Sequence, residues 1–288
     1  MPAKLEFVRY ILPFFLLISF AGSALGQPVA APLTPTQAQA LVARALATEV
    51  RTAQDLNHPM RYRLRKSSPR FTSTKEIAET RDGDVARLVA ISDQPLRPED
   101  ELREQARLDA LLSDPSRQRH RKQSEESDTG IVLKLLRMLP QAFTYEYAGV
   151  GQGPAGKVEK FRFHPNPAFS PPDMETQALM AMTGELWIDS AQERVTRLEG
   201  HLQQDTNYGF GILGKLDKGG WIVLEQAEVA AGRWRITRVQ LKMELRILFK
   251  TRSFDSVQEM THYAPIPANL DYRQAIQMLR GAGWSREN

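Results

Sequence analysis

Between Arg233 and Lys250 the chain reads RWRITRVQLKMELRILFK. Val239, Leu241, Met243, Leu245, Ile247 and Phe249 hold alternate positions, and Arg238, Gln240, Lys242, Glu244 and Arg246 fill the places between them. A period of two kept up over this length is an antiparallel strand with one wet face, the alternating stretch spanning roughly 35 Å at ~3.3 Å per residue. The apolar face must be hidden, because each Å² withdrawn from water contributes about 25 cal/mol. Either helices fill the space above it or a ligand does.

The same period recurs through most of the C-terminal half. WIVLEQAEV leads through Ala231-Gly232 into the long strand, and KTRSFDSVQEMTHYAP follows it. In FTYEYAG the aromatics Phe143, Tyr145 and Tyr147 share a face, and in KFRFHP so do Phe161 and Phe163, with GVGQGPAG expected as the loop between. GELWIDSAQERVTRLEGHL reads as a hairpin with Leu186 and Ile188 on one face, a turn at Asp189 to Gln192, and Leu198 and Leu202 beyond it. Nearer the N-terminus, RYRLRKSS, FTSTKEIAET and VARLVAIS read as strands, Asp82-Gly83 marking a hairpin turn.

Helical signals are fewer. Thr34 as cap and Pro35 at the first position open an amphipathic helix to about Thr52, with Leu41, Val42, Ala45 and Leu46 on one face. Residues 98–139 read as a helical, charged insertion: a helix with Leu102, Leu108, Leu111 and Leu112, an exposed loop carrying Arg117, Arg119, His120, Arg121 and Lys122, and a short helix, IVLKLLRML, ending near Pro140. Leu270 to Arg280 closes the chain as a short helix.

Lys4 and Arg9 precede an apolar run from Tyr10 to Phe20, and Ala24-Leu25-Gly26 supplies the small residues of a cleavage site before Gln27. Residues 1–26 are therefore expected to be a secretory signal peptide, and 27–288 a single domain in the periplasm. With no Cys there is neither a disulfide nor a lipid attachment point, so the exported chain is expected to be soluble. Its 38 Lys and Arg against 34 Asp and Glu describe mixed surface charge rather than a nucleic-acid footprint.

GFGILGKL, residues 209–216, matches G-x-G-x-x-G, the pattern of a phosphate-binding loop. A dinucleotide loop must run into a helix, whose N-terminal amides hold the phosphates, yet here LDKGGWIVLEQ supplies a turn and a strand. The stretch is read instead as a hairpin loop with Phe210, Ile212 and Leu213 at its tip, able to touch a membrane or a partner. There is no G-x-S-x-G, no H-E-x-x-H and no Cys nucleophile, and the five His are scattered. Neither catalysis nor a cofactor or metal is expected.

TGELWIDSAQERVTRLEG, set among long hairpins behind an amphipathic helix, resembles the periplasmic carriers that sort outer-membrane lipoproteins, the LolA/LolB-like superfamily. The resemblance extends over residues 36–265 and is specific only at 184–202. It implies an α+β fold, mainly antiparallel β: a strongly curved, incomplete barrel of long hairpins covered by helices. It also implies a non-enzymatic carrier or chaperone holding a lipid or acylated protein in an apolar cavity. On that reading Leu186, Ile188, Val239, Leu241, Met243, Leu245 and Ile247 are the expected cavity face. An envelope sensor with a solid core, and a hydrolase built on a His–carboxylate pair in a cleft, are the alternatives.

Overall fold

The Thr34 hydroxyl accepts the amide hydrogen of Gln37, and the Gln37 side chain accepts that of Thr34. Two N–H groups that a helix start leaves orphaned are thereby satisfied, and α1 (Pro35–Ala53) begins where its capping signals place it. The computed structural model describes residues 32–208, 214–247 and 250–281. Residues 1–26 and the expected tip residues Phe210, Ile212 and Leu213 lie outside them.

Four strands follow α1: β1 (Met60–Ser67), β2 (Thr72–Ala78), β3 (Val85–Ile91) and β4 (Gln94–Pro95). Then come α2 (Pro98–Ser113), α3 (Pro115–Ala142), β5 (Phe143–Gly153), β6 (Gly156–Pro165) and a short α4 (Met174–Gln177). The remainder is β7 (Met182–Asp189), β8 (Val195–Leu202), β9 (Thr206–Tyr208), β10 (Gly214–Leu216), β11 (Trp221–Ala230), β12 (Arg233–Ile247), β13 (Lys250–Pro265) and α5 (Tyr272–Gly281). All strands join one antiparallel sheet in the order β4-β3-β2-β1-β13-β12-β11-β8-β7-β6-β5, with β9 and β10 attached beside β12. The sheet is curved and does not close, so the fold class is the expected one.

Directly opposed residues of an antiparallel pair point to the same face, so the register assigns sides. Tyr147, Phe161, Leu186, Leu198, Leu224 and Val239 form one cross-strand row. This is the inner face, where Phe161 and Leu186 meet Ala38, Val42 and Leu46 of α1. On the other face Trp187, Arg197, Glu225, Arg238, Glu259 and Arg65 form a charged ladder. Arg197 pairs with Glu225, Arg238 lies 3.8 Å from Glu259, and Arg65 lies 3.0 Å from the same carboxylate.

One bulge shapes β12. Glu225 and Gln226, consecutive on β11, oppose Arg238 and Ile236, leaving Thr237 as the extra residue. Trp234 and Ile236 therefore share the inner side with Val239 and Leu241, despite the shift of phase in the sequence. On this register, Leu241→Asp puts a charge among inner-face apolar groups and is expected to cost about 1–2 kcal/mol, whereas Gln240→Asp should cost less than ~0.5 kcal/mol. Equal thermal-denaturation shifts for the two variants would contradict the register.

The link from β4 to β5 joins strands at opposite ends of the sheet, and α2 and α3 make that crossing. Here the expected exposed loop is corrected. The polar run after Asp114 is the first half of a single 28-residue helix that includes IVLKLLRML, passes Pro140 and ends at Ala142. Asp114 caps it by accepting the Ser116 amide hydrogen, and Arg121–Glu125 and Lys122–Glu126 pair one turn apart. Tertiary bonds anchor this half. Gln118 donates to the carbonyls of Asp82 and Gly83, Arg121 donates to that of Asp84, and Glu125 accepts the Asp84 amide hydrogen at 2.8 Å.

A second correction concerns GVGQGPAG, most of which is strand. β5 and β6 continue to Gly153 and Gly156, and a bulge beside Gly149, at φ +100°, absorbs the irregularity. α5 packs Ala275, Ile276 and Leu279 against Ala78, Val85, Leu108 and Leu111. No helix among the described residues is long and apolar enough to cross a membrane.

Candidate functional site

Where the last turn of α1 and the middle of α3 pass over the sheet, side chains do not fill the space beneath. A cavity of about 410 Å³ remains, within the range of small-molecule sites. Leu186, Leu198, Leu224, Trp234 and Ile236 line it from the inner face of β7, β8, β11 and β12, while Leu46, Val132 and Leu136 line it from the helices. Leu56 and Val132, 64% and 53% exposed, bring apolar surface to its mouth.

One region of the wall is polar. Glu79, Arg81 and Asp84 from the β2–β3 connection line it together with Arg235. Burial pushes the Asp84 carboxyl up to about 7, and the neighbouring charges of Glu125 and Glu79 add to the shift. Glu79 is raised by burial as well, against the pull of Arg235 and the Met60 amide. The charge of Arg121 pulls the Asp84 carboxyl the other way but does not outweigh burial.

Elsewhere the wall is fixed by an ion pair. Arg194 donates to both oxygens of Glu49, Nε at 2.9 Å and Nη2 at 2.8 Å, and the Val195 amide donates to the same carboxylate at 3.0 Å. The pair ties the last turns of α1 to the start of β8. Its guanidinium lies 5.5 Å from the ring centre of Trp234, whose indole N–H donates to Gln192 at 2.9 Å. Beside Trp234, Gln226 is 6% exposed and its amide nitrogen has no hydrogen-bond partner.

The residues expected on the cavity face divide. Leu186 lines the cavity, whereas Ile188 is wholly buried in the packed core with Phe161 and Val195. Val239, Leu241, Met243 and Leu245 are half-buried on β12, outside the walls of this cavity. Val239 stands opposite Leu224, which does line it, and Met243 stands opposite Phe254, 41% exposed, so they continue the inner apolar strip. Ile247 belongs to β12 and opposes Lys250; its side chain is not among those described. Trp234, Leu224, Gln226 and Val132 escaped the sequence reading. For Trp234 and Ile236 a signal existed in the alternation ahead of the Thr237 bulge.

β9 and β10, which flank the glycine stretch, pair with each other, and Lys215 is held by Asp205 and Asp217 at 2.8 and 2.7 Å. Strand on both sides is the wrong setting for a dinucleotide loop. Three His–carboxylate pairs occur among the described residues, one of them His164 with Glu146 at 4.0 Å. His201 meets Glu199 at 2.9 Å on the outer face, and His58 meets Asp55, a cavity-wall residue, but the described residues place no hydroxyl on either ring. No group of three or more His, Asp or Glu among the described residues is arranged to hold a metal.

No family model matches the chain, and no curated protein matches it. Among solved structures, a domain from Vibrio parahaemolyticus assigned to outer membrane lipoprotein sorting is similar over 86% of this chain and 100% of its own. The identity is 8% and the TM-score 0.31.

Proposed function

We propose that this protein is a non-enzymatic, exported carrier or chaperone that takes a lipid or the acyl chain of a lipoprotein into the cavity beneath α1 and α3. The observation that carries this reading is an unfilled, largely apolar space whose mouth exposes Leu56 and Val132 and whose sheet wall runs on into Val239 and Leu241. Exposed apolar surface of this kind costs free energy until covered, and each methylene buried there contributes about 0.8 kcal/mol. On this reading residues 1–26 direct export to the periplasm and the ligand is exchanged with membrane or lipoprotein there.

Native mass spectrometry of the protein purified from its own cell envelope tests the proposal. An excess mass that disappears on denaturation, together with lipid in an organic extract, is the expected result. A folded protein free of excess mass, whose extract contains no lipid, would transfer the case to a protein-binding envelope sensor.

A further inference from the structure

An amide hydrogen donor without an acceptor, in the wall of a largely apolar chamber, is a cost that most interiors avoid. Gln226 stands between Leu224 and the strand partner Ile236, both cavity-lining, and its Nε2 is buried without a partner. The terminal torsion of a glutamine is broad, so the amide can turn its N–H toward the chamber without a change of backbone. The groups around it, Leu198, Leu224, Trp234 and Ile236, offer it no acceptor among the described residues. A ligand that enters the chamber can supply that acceptor.

Resting on the carrier reading, we infer that Gln226 is a ligand-recognition residue that donates a hydrogen bond to the neutral carbonyl of an esterified or amidated acyl chain. The chain lies along Leu186, Leu198 and Leu224. An ester or amide carbonyl is the one strong acceptor that such a molecule carries where its apolar part begins. The Gln226 amide is uncharged, so it offers a ligand carboxylate a neutral donor and no counter-ion, which suits a neutral carbonyl better. A site built around a donor also discriminates, because a pure hydrocarbon leaves the donor unpaired.

The test uses three bromine-labelled C18 probes with the wild type and Gln226→Leu: 9,10-dibromostearic acid methyl ester, its N-methyl amide and 9,10-dibromooctadecane. Bromine quenches tryptophan fluorescence on contact, and Trp234 stands in the wall. Gln226→Leu is expected to weaken ester and amide binding about fivefold, the worth of one neutral hydrogen bond, and to leave hydrocarbon binding unchanged. The hydrocarbon also reports that the variant is folded. An ester loss without an amide loss would assign the site to O-acyl chains, and the reverse to N-acyl chains. Equal effects on all three probes, or none, would overturn the inference while leaving the cavity as an acyl site. If no probe quenches the wild type, the carrier reading fails and this inference with it.

Discussion

Glu49→Ala is expected to lower the unfolding free energy by about 3–5 kcal/mol, measured by urea denaturation at neutral pH. The Glu49 and Arg194 side chains are only 11% and 9% exposed, and the substitution leaves the guanidinium and the Val195 amide without their acceptor. Truncating one partner of a buried pair is worse than removing both, since the survivor keeps its desolvation cost. The double variant Glu49→Leu/Arg194→Met should therefore recover much of the loss. Arg44 and Glu193 provide an internal control: they make the same bidentate contact with side chains 57% and 39% exposed, and Glu193→Ala should cost no more than ~1 kcal/mol. Similar losses for Glu49→Ala and Glu193→Ala would show that the first pair is not effectively buried.

The second large effect is a pH dependence carried by Asp84. Its folded carboxyl titrates at about 7, above the ordinary value of 3.8, chiefly because of burial and then because of Glu125 and Glu79. Between those values the folded state binds more protons than the unfolded chain, so this group's contribution is fully present below pH 4 and is lost as pH rises through 7. Discounted for the partial exposure of the site, the swing is about 2 kcal/mol. Asp84→Asn should flatten the stability profile between pH 4 and 8 and stabilise the protein at pH 8 by a similar amount. Asp173 acts in the opposite sense and in a different window: its carboxyl is lowered to about 2 by the Thr176 amide and Lys134, and its contribution is lost only on acidification below pH 4. Parallel wild-type and Asp84→Asn profiles across pH 4–8 would rule out the titration assigned to Asp84.

What could be read from the chain, and what could not, follows from the range of the forces involved. Val239 to Leu245 announce their strand because burial on one face and solvent on the other repeat every second residue. Thr34 and Pro35 announce α1 because a cap is a contact across three residues. The first half of α3 announces nothing, since it has few apolar side chains. It is held by Gln118, Arg121 and Glu125 on the β2–β3 connection more than thirty residues upstream. The cavity is harder still, being walled from two helices, four strands and three connections and bounded on β12 by a bulge that moves the inner face from Ile236 to Val239. Leu186 was recognisable as an inner-face residue, but whether it faced packed core or empty space depended on where α1 and α3 cross.

The strand order has a consequence for how the molecule assembles. Apart from the small β9–β10 attachment, every neighbouring pair in the sheet is consecutive or nearly so along the chain, with one exception: β1 lies against β13. Met60 meets Pro265 and Lys66 meets Gln258, so that seam joins residues about two hundred positions apart. Hairpins β1–β4 and the meander from β5 to β13 can each form early from nearby contacts, but the seam must wait for the last strand and meets the largest loop-closure cost in the fold. A chain halted before Lys250 would hold two half-sheets, each with an unprotected edge open to a neighbouring molecule. The joining of β1 to β13 is thus the step that turns two pieces with open edges into one continuous sheet, and the arrival of β13 sets its timing.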